Sequence, residues 1–161
     1  MIIIVIGVTA SGKTTVGKLL AKRLGWNFYD GDDFHATANV EKMSRGSPLN
    51  DEDRKPWLES LRGLIQSAIA RDESAVIACS ALKQSYRRIL RVSDAVVFVY
   101  LHASVDLVRD RLKSRTGHFM PPALLQSQFD ALEAPRQALR IDAALGLDEI
   151  VQTVQERLSL G

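Results

Sequence analysis

The chain has 161 residues, a hydrophobic fraction of 46%, a charged fraction of 25% and a formal net charge of +2. These values describe one ordinary globular domain, long enough to bury a real core, and the charge is too small to point to nucleic acid. No apolar run approaches the roughly 20 residues of a membrane span, and the single Cys79 cannot make an internal disulfide, so no membrane association and a reducing, cytoplasmic setting are expected.

Residues 1–8 are apolar and mostly β-branched, which predicts a fully buried strand. The run has no basic lead-in and passes straight into a loop, which reads against a signal peptide. That loop is Gly7-Val8-Thr9-Ala10-Ser11-Gly12-Lys13-Thr14, the pattern G-x-x-x-x-G-K-[ST] between a strand and a helix. Gly7 and Gly12 let the backbone curl so that N–H groups converge on one phosphate, and the following helix adds its positive end. Lys13 can reach the β- and γ-phosphates, and the Thr14 hydroxyl can bind Mg²⁺. The plain alternative is an ordinary strand-to-helix turn with a surface lysine.

Lys13–Leu24 has helical spacing, with Val16, Leu19, Leu20 and Leu24 on one face and Gly25 as its stop. Residues 26–30 make a second strand, and a helix between two buried strands signals a parallel sheet. Further strands are expected at 75–79, 95–101 and 139–143, with helices at about 57–71, 82–90, 104–113, 124–132 and 147–158. The sum is a doubly wound α/β domain spanning 1–161, whose ligands belong at the carboxyl ends of the strands.

After the second strand comes Asp30-Gly31-Asp32-Asp33-Phe34-His35. Three crowded carboxylates need Mg²⁺ or a polyol's hydroxyls; the alternative is a solvated loop in which Asp33 caps the next helix. His35 could bind substrate or simply pack at a helix start. A short helix is expected at 34–43, and Pro56 should start or kink the next. The long excursion 34–72 reads as a substrate-holding region. Within it Arg54 could clamp a substrate carboxylate, or pair with Asp51 or Asp53. Past the third strand stands Ser80, facing the site, while Cys79 reads as a core residue. Lys83 and Arg87, four apart on one helical face, could hold an anionic acceptor or solvate a helix. Arg111 and Arg115 precede the Gly/Pro-bounded stretch 116–122, which suits a lid over a nucleotide at about 115–123; the alternative is a basic helix end. No Asn-Lys-x-Asp guanine-reading motif is present, and no strand ends in the aspartate typical of motor ATPases. A small-molecule kinase using ATP and Mg²⁺ remains.

At this point the residues resemble the gluconokinases of the shikimate-kinase-like group, within the nucleoside-monophosphate-kinase fold. The shared blocks are residues 7–15; Gly25-Trp26 with Asp30-Gly31-Asp32-Asp33-Phe34-His35; Gly46-Ser47-Pro48-Leu49-Asn50-Asp51 with Asp53-Arg54 and Pro56-Trp57-Leu58; Ala78-Cys79-Ser80-Ala81-Leu82-Lys83 with Tyr86-Arg87; Arg115-Thr116-Gly117-His118-Phe119-Met120-Pro121; and Gln126-Ser127-Gln128-Phe129. Ala36 departs from the usual proline, and Thr9-Ala10 from the common Ser-Gly. The resemblance implies a three-layer P-loop kinase, with a five-stranded parallel sheet in order 2-3-1-4-5 and a mobile lid. It also implies phosphorylation of D-gluconate by ATP, in a family whose members are often homodimers. On that reading Gly7, Thr9, Ala10, Ser11, Gly12, Lys13, Thr14, Thr15 and Arg111 bind the nucleotide. Thr14 and Asp30 hold Mg²⁺. Lys13, Asp32 and Arg115 carry the reaction, and Asp32, His35, Arg54, Ser80, Lys83, Arg87 and His118 receive the sugar acid. Two rivals are a kinase for shikimate or a nucleoside monophosphate, and a nucleotide-binding regulator without turnover.

Overall fold

The five apolar residues Ile2–Ile6 form a strand, β1, buried along its whole length. Such a strand must be covered on both faces, so its side chains show no polar alternation. The computed structural model describes residues 1–114 and 122–161. After β1 come α1 (Lys13–Leu24), β2 (Asn27–Asp30), a 3₁₀ turn (Gly31–Phe34), α2 (Thr37–Ser44), α3 (Asp51–Ala70) and β3 (Ala75–Ala78). Then follow α4 (Gln84–Leu90), β4 (Val96–His102), α5 (Val105–Ser114), α6 (Pro122–Ala131), β5 (Leu139–Asp142) and α7 (Leu147–Arg157). The strands form one sheet in the order β2-β3-β1-β4-β5, with every neighbouring pair parallel, as expected.

Alternate residues of β1 feed two cores. Ile3 and Val5 pack with Val16 and Leu20 of α1 and Val154 of α7. Ile2, Ile4 and Ile6 pack with Trp57, Leu61 and Ile65 of α3. The result is three layers, α/β/α. Close approach of α1 to the sheet depends on Gly17, where a Cβ would lie 2.7 Å from the Phe28 ring.

Two expectations change. The helix expected at 57–71 begins at Asp51, because Asn50 and Asp53 form a capping box: the Asn50 side chain accepts from the Asp53 N–H at 2.8 Å, and the Asp53 carboxylate from the Asn50 N–H at 3.0 Å. Pro56 therefore sits inside α3 rather than at its start. The single helix expected at 34–43 is instead the 3₁₀ turn and α2. Asp30, not Asp33, caps that turn, its carboxylate accepting from the Asp32 N–H, and α2 has no side-chain cap. Among the described residues no helix is long and apolar enough to cross a membrane.

Candidate active site

The Gly7–Gly12 loop leaves β1 at its carboxyl end and turns into α1. Gly12 has φ 102°, a backbone that side chains rarely tolerate, and at Gly7 a Cβ would stand 2.9 Å from the Leu101 carbonyl oxygen. The amino end of α1 has no side-chain cap and no acidic residue in its first turn, so its N–H groups remain available to an anion. Lys13 Nζ donates to the Val8 carbonyl at 2.8 Å. Arg111 reaches in from α5 and donates to the carbonyls of Ala10 and Ser11, each at 3.0 Å, and to that of Ala143. It thereby ties the loop to the end of β5. Beside these contacts, Thr15, Arg111, Ala143 and Leu145 line a cavity of about 190 Å³.

Parallel pairing of β2 with β3, and of β3 with β1, brings Asp30 to the same end of the sheet. Its carboxylate accepts from the Thr14 hydroxyl at 3.3 Å. The two residues expected to share a cation thus touch across 16 positions of sequence. Crowding by protein atoms raises the pKa of Asp32 above the ordinary carboxylate range, although the residue borders solvent; Lys13 pulls it back and the like charge of Asp30 adds to the rise. Trp57 fixes this loop from α3, its indole N–H donating to the Gly31 carbonyl at 2.7 Å. The same indole stacks on His35, with ring centroids 4.3 Å apart. Burial lowers the pKa of His35, which feels Asp32 on one side and Arg54 on the other, and its Nδ1 is buried without a partner among the described residues.

Beyond His35 lies a second cavity, about 250 Å³, lined by Asn50, Asp51, Arg54, Lys83 and Ser127 among others. Arg54 pairs with neither Asp51 nor Asp53 and instead donates to the Tyr86 hydroxyl at 3.1 Å. Asp51 accepts from Lys83 Nζ at 3.0 Å and from the Tyr86 hydroxyl, and those two bonds hold its carboxyl below the usual range. Asp53 is occupied by Lys42. Ser80 stands half-buried just past β3.

Lys83 and Arg87 do not act together on one helical face. Lys83 is the residue before α4 and turns to Asp51, whereas Arg87 is 7% exposed and donates to the carbonyls of Ala81 and Glu133. Its guanidinium spends its donors on backbone. Cys79 is core, as expected: burial pushes its thiol up to about 12, which removes it as a nucleophile. Arg115, His118 and most of the expected lid lie outside the described residues.

With this geometry in view, comparison with known proteins is informative. The family model described as Shikimate kinase matches residues 9–154. A probable gluconokinase of Xenopus tropicalis is 45% identical over 174 residues, covering 96% of this chain and 92% of its own. The chain belongs to the gluconokinase family. The thermosensitive gluconokinase of Escherichia coli (strain K12) is 48% identical, covering 83% of this chain and 72% of its own. A crystal structure of a gluconokinase from Sinorhizobium meliloti 1021 superposes with a TM-score of 0.85 at 41% identity, covering 98% of this chain and 94% of that one.

Within this gluconokinase-family site, sequence reasoning missed Gln128. Its side-chain carbonyl accepts from the Thr9 N–H at 2.7 Å, so α6 touches the phosphate-loop backbone. The partners are 119 positions apart, and the shared block Gln126–Phe129 marks Gln128 without pointing to Thr9. Tyr86 and Asp51 were in view as sequence, but their union depends on α3 packing on α4. Among the described residues no cluster of three or more His, Cys, Asp or Glu could hold a metal alone. The touching Thr14 hydroxyl and Asp30 carboxylate are nonetheless hard oxygen donors, the kind Mg²⁺ takes one or two of while keeping water and phosphate oxygens.

Proposed function

We propose that the protein transfers the γ-phosphoryl group of ATP to the 6-hydroxyl of D-gluconate, yielding 6-phospho-D-gluconate. The observation that carries this reading is a continuous line of groups. Asp32 feels the charge of the phosphate-loop Lys13, His35 feels Asp32 and Arg54, and Arg54 lines one cavity with Lys83. A carboxylate beside the nucleotide end can orient an alcohol, and two cations at the far end suit an anionic acceptor.

The nucleotide's phosphates rest on the N–H groups of residues 7–15, with Lys13 meeting charge on the transferring phosphoryl. Its base takes the cavity between Thr15, Arg111 and Leu145. Thr14 and Asp30 would hold Mg²⁺, which when bound neutralises charge on the phosphate oxygens. Asp32 holds the acceptor hydroxyl in line and receives its proton; in a loose transition state that placement matters more than basicity. Arg54 and Lys83 receive the gluconate carboxylate, while Ser80 and His35 offer hydrogen bonds to its hydroxyls. Arg115 and His118 are assigned from sequence alone, the first to the phosphoryl group and the second to the sugar acid. Arg87 supports the Ala81–Lys83 turn rather than the substrate. Such chemistry and a buried lone thiol fit the cytoplasm, and the homodimer implied by the resemblance is checked by sedimentation.

An ADP-release assay across gluconate, shikimate and nucleoside monophosphates tests the activity. Turnover with gluconate is expected. Preference for shikimate or a nucleotide would move the chain to another branch of small kinases, and ATP binding with no turnover would make it a regulator.

A further inference from the structure

Away from the site just described, a cavity of about 560 Å³ opens between α4 and the segment joining α6 to β5. Four arginines line it: Arg87 and Arg88 from α4, Arg91 just past its end, and Arg136 from the opposite wall. A single carboxylate, Glu133, faces them, and it is already engaged by the Gln84 N–H at 2.9 Å. Two of the arginines are fixed in place. Arg87 is buried and held by the Ala81 and Glu133 carbonyls. Arg91 lies over the Phe98 ring, 4.9 Å from its centroid, and donates to the Gln137 carbonyl at 3.1 Å. The other two, Arg88 and Arg136, make no hydrogen bond or ion pair among the described residues.

Like charges gathered around one concavity repel, and the arrangement is relieved by an anion that several of them share. The guanidinium fork matches phosphate oxygens in pairs, more closely than an ammonium does. A volume of this size admits a metabolite rather than a bare ion. We infer that this groove, separate from the phosphotransfer site, binds a small phosphate-bearing anion, held chiefly by Arg88 and Arg136 against the fixed field of Arg87 and Arg91. One of its lining residues is bonded to the turn that carries Lys83. Glu133 donates its N–H to the Leu82 carbonyl at 2.8 Å, and the next residue is Lys83.

Calorimetric titration of inorganic pyrophosphate into protein saturated with Mg²⁺ and a non-hydrolysable ATP analogue tests this, because the phosphate loop is then filled. One further equivalent of pyrophosphate should bind. Binding should weaken at least tenfold in the Arg88→Ala/Arg136→Ala double variant and fall as salt rises, while the variant keeps its turnover with gluconate. Absence of the extra equivalent, or equal binding by the variant, would overturn the site. Equal affinity for citrate would overturn the phosphate assignment, and loss of turnover in the variant would overturn the separation from catalysis. The binding measurements are independent of whether gluconate is the acceptor; only the turnover comparison rests on that reading.

Discussion

Asp32 carries opposite consequences for turnover and for stability. Its carboxyl, although it borders solvent, is raised above the ordinary range by the protein atoms crowded around it and by Asp30, against the pull of Lys13. A carboxyl raised on folding favours the native state below its unfolded pKa, and that support is lost as pH rises through the raised value. Asp32→Asn should therefore raise the thermal midpoint at pH 7, with the gain vanishing in acid, while turnover falls on the order of 10²-fold or more and ATP affinity stays near normal. In the wild type, kcat/KM should decline as pH falls through that raised value. Unchanged turnover in the variant would remove Asp32 from the reaction. Asp51 makes a different case, because its carboxylate already occupies Lys83 and the Tyr86 hydroxyl. It competes with a substrate carboxylate for the same donors, so Asp51→Asn should lower the KM for gluconate. A higher KM would instead mean that Asp51 accepts a hydroxyl of the sugar acid.

Among the elements, α3 does the positioning. Its capping box sets where it starts, its Arg54 enters the acceptor cavity, and one turn later Trp57 holds Gly31 and His35. Trp57→Phe keeps a ring for the stack but strips the Gly31 carbonyl of its buried partner, at a cost of about 1–3 kcal/mol. Loss of thermal stability together with a lower kcat is expected; unaltered kcat would show that the acid loop holds itself. This element also marks the limit of sequence reading. The phosphate loop, α1 and the buried strands were legible because each is written in neighbouring residues: spacing, β-branching, and glycines at fixed intervals. The start of α3 was obscured because the reading rested on Pro56 and did not use the Asn50–Asp53 pair that caps the helix. Arg87 read as a substrate cation because its partners, Ala81 and Glu133, meet it only after α4 packs on the end of α6. The same holds for Gln128 on Thr9.

At the scale of the whole molecule, the sheet order puts the ends of β1, β2 and β3 side by side, so one ligand can bridge parts far apart in the chain. Binding should then stabilise the domain as a unit. At a hundred times its dissociation constant, ATP with Mg²⁺ adds about 2.7 kcal/mol, which for a chain of this length is a rise of about 5–10 °C in Tm. Scanning fluorimetry with and without nucleotide measures it, and no shift would argue against the loop as the binding site. The lone thiol of Cys79 supplies a second gauge. Sealed at the end of β3 and held protonated, it is closed to alkylating reagents until the sheet parts. With no other sulfhydryl in the chain, the rate at which a maleimide consumes the protein counts openings of its centre, and each ligand that grips the domain should slow that clock.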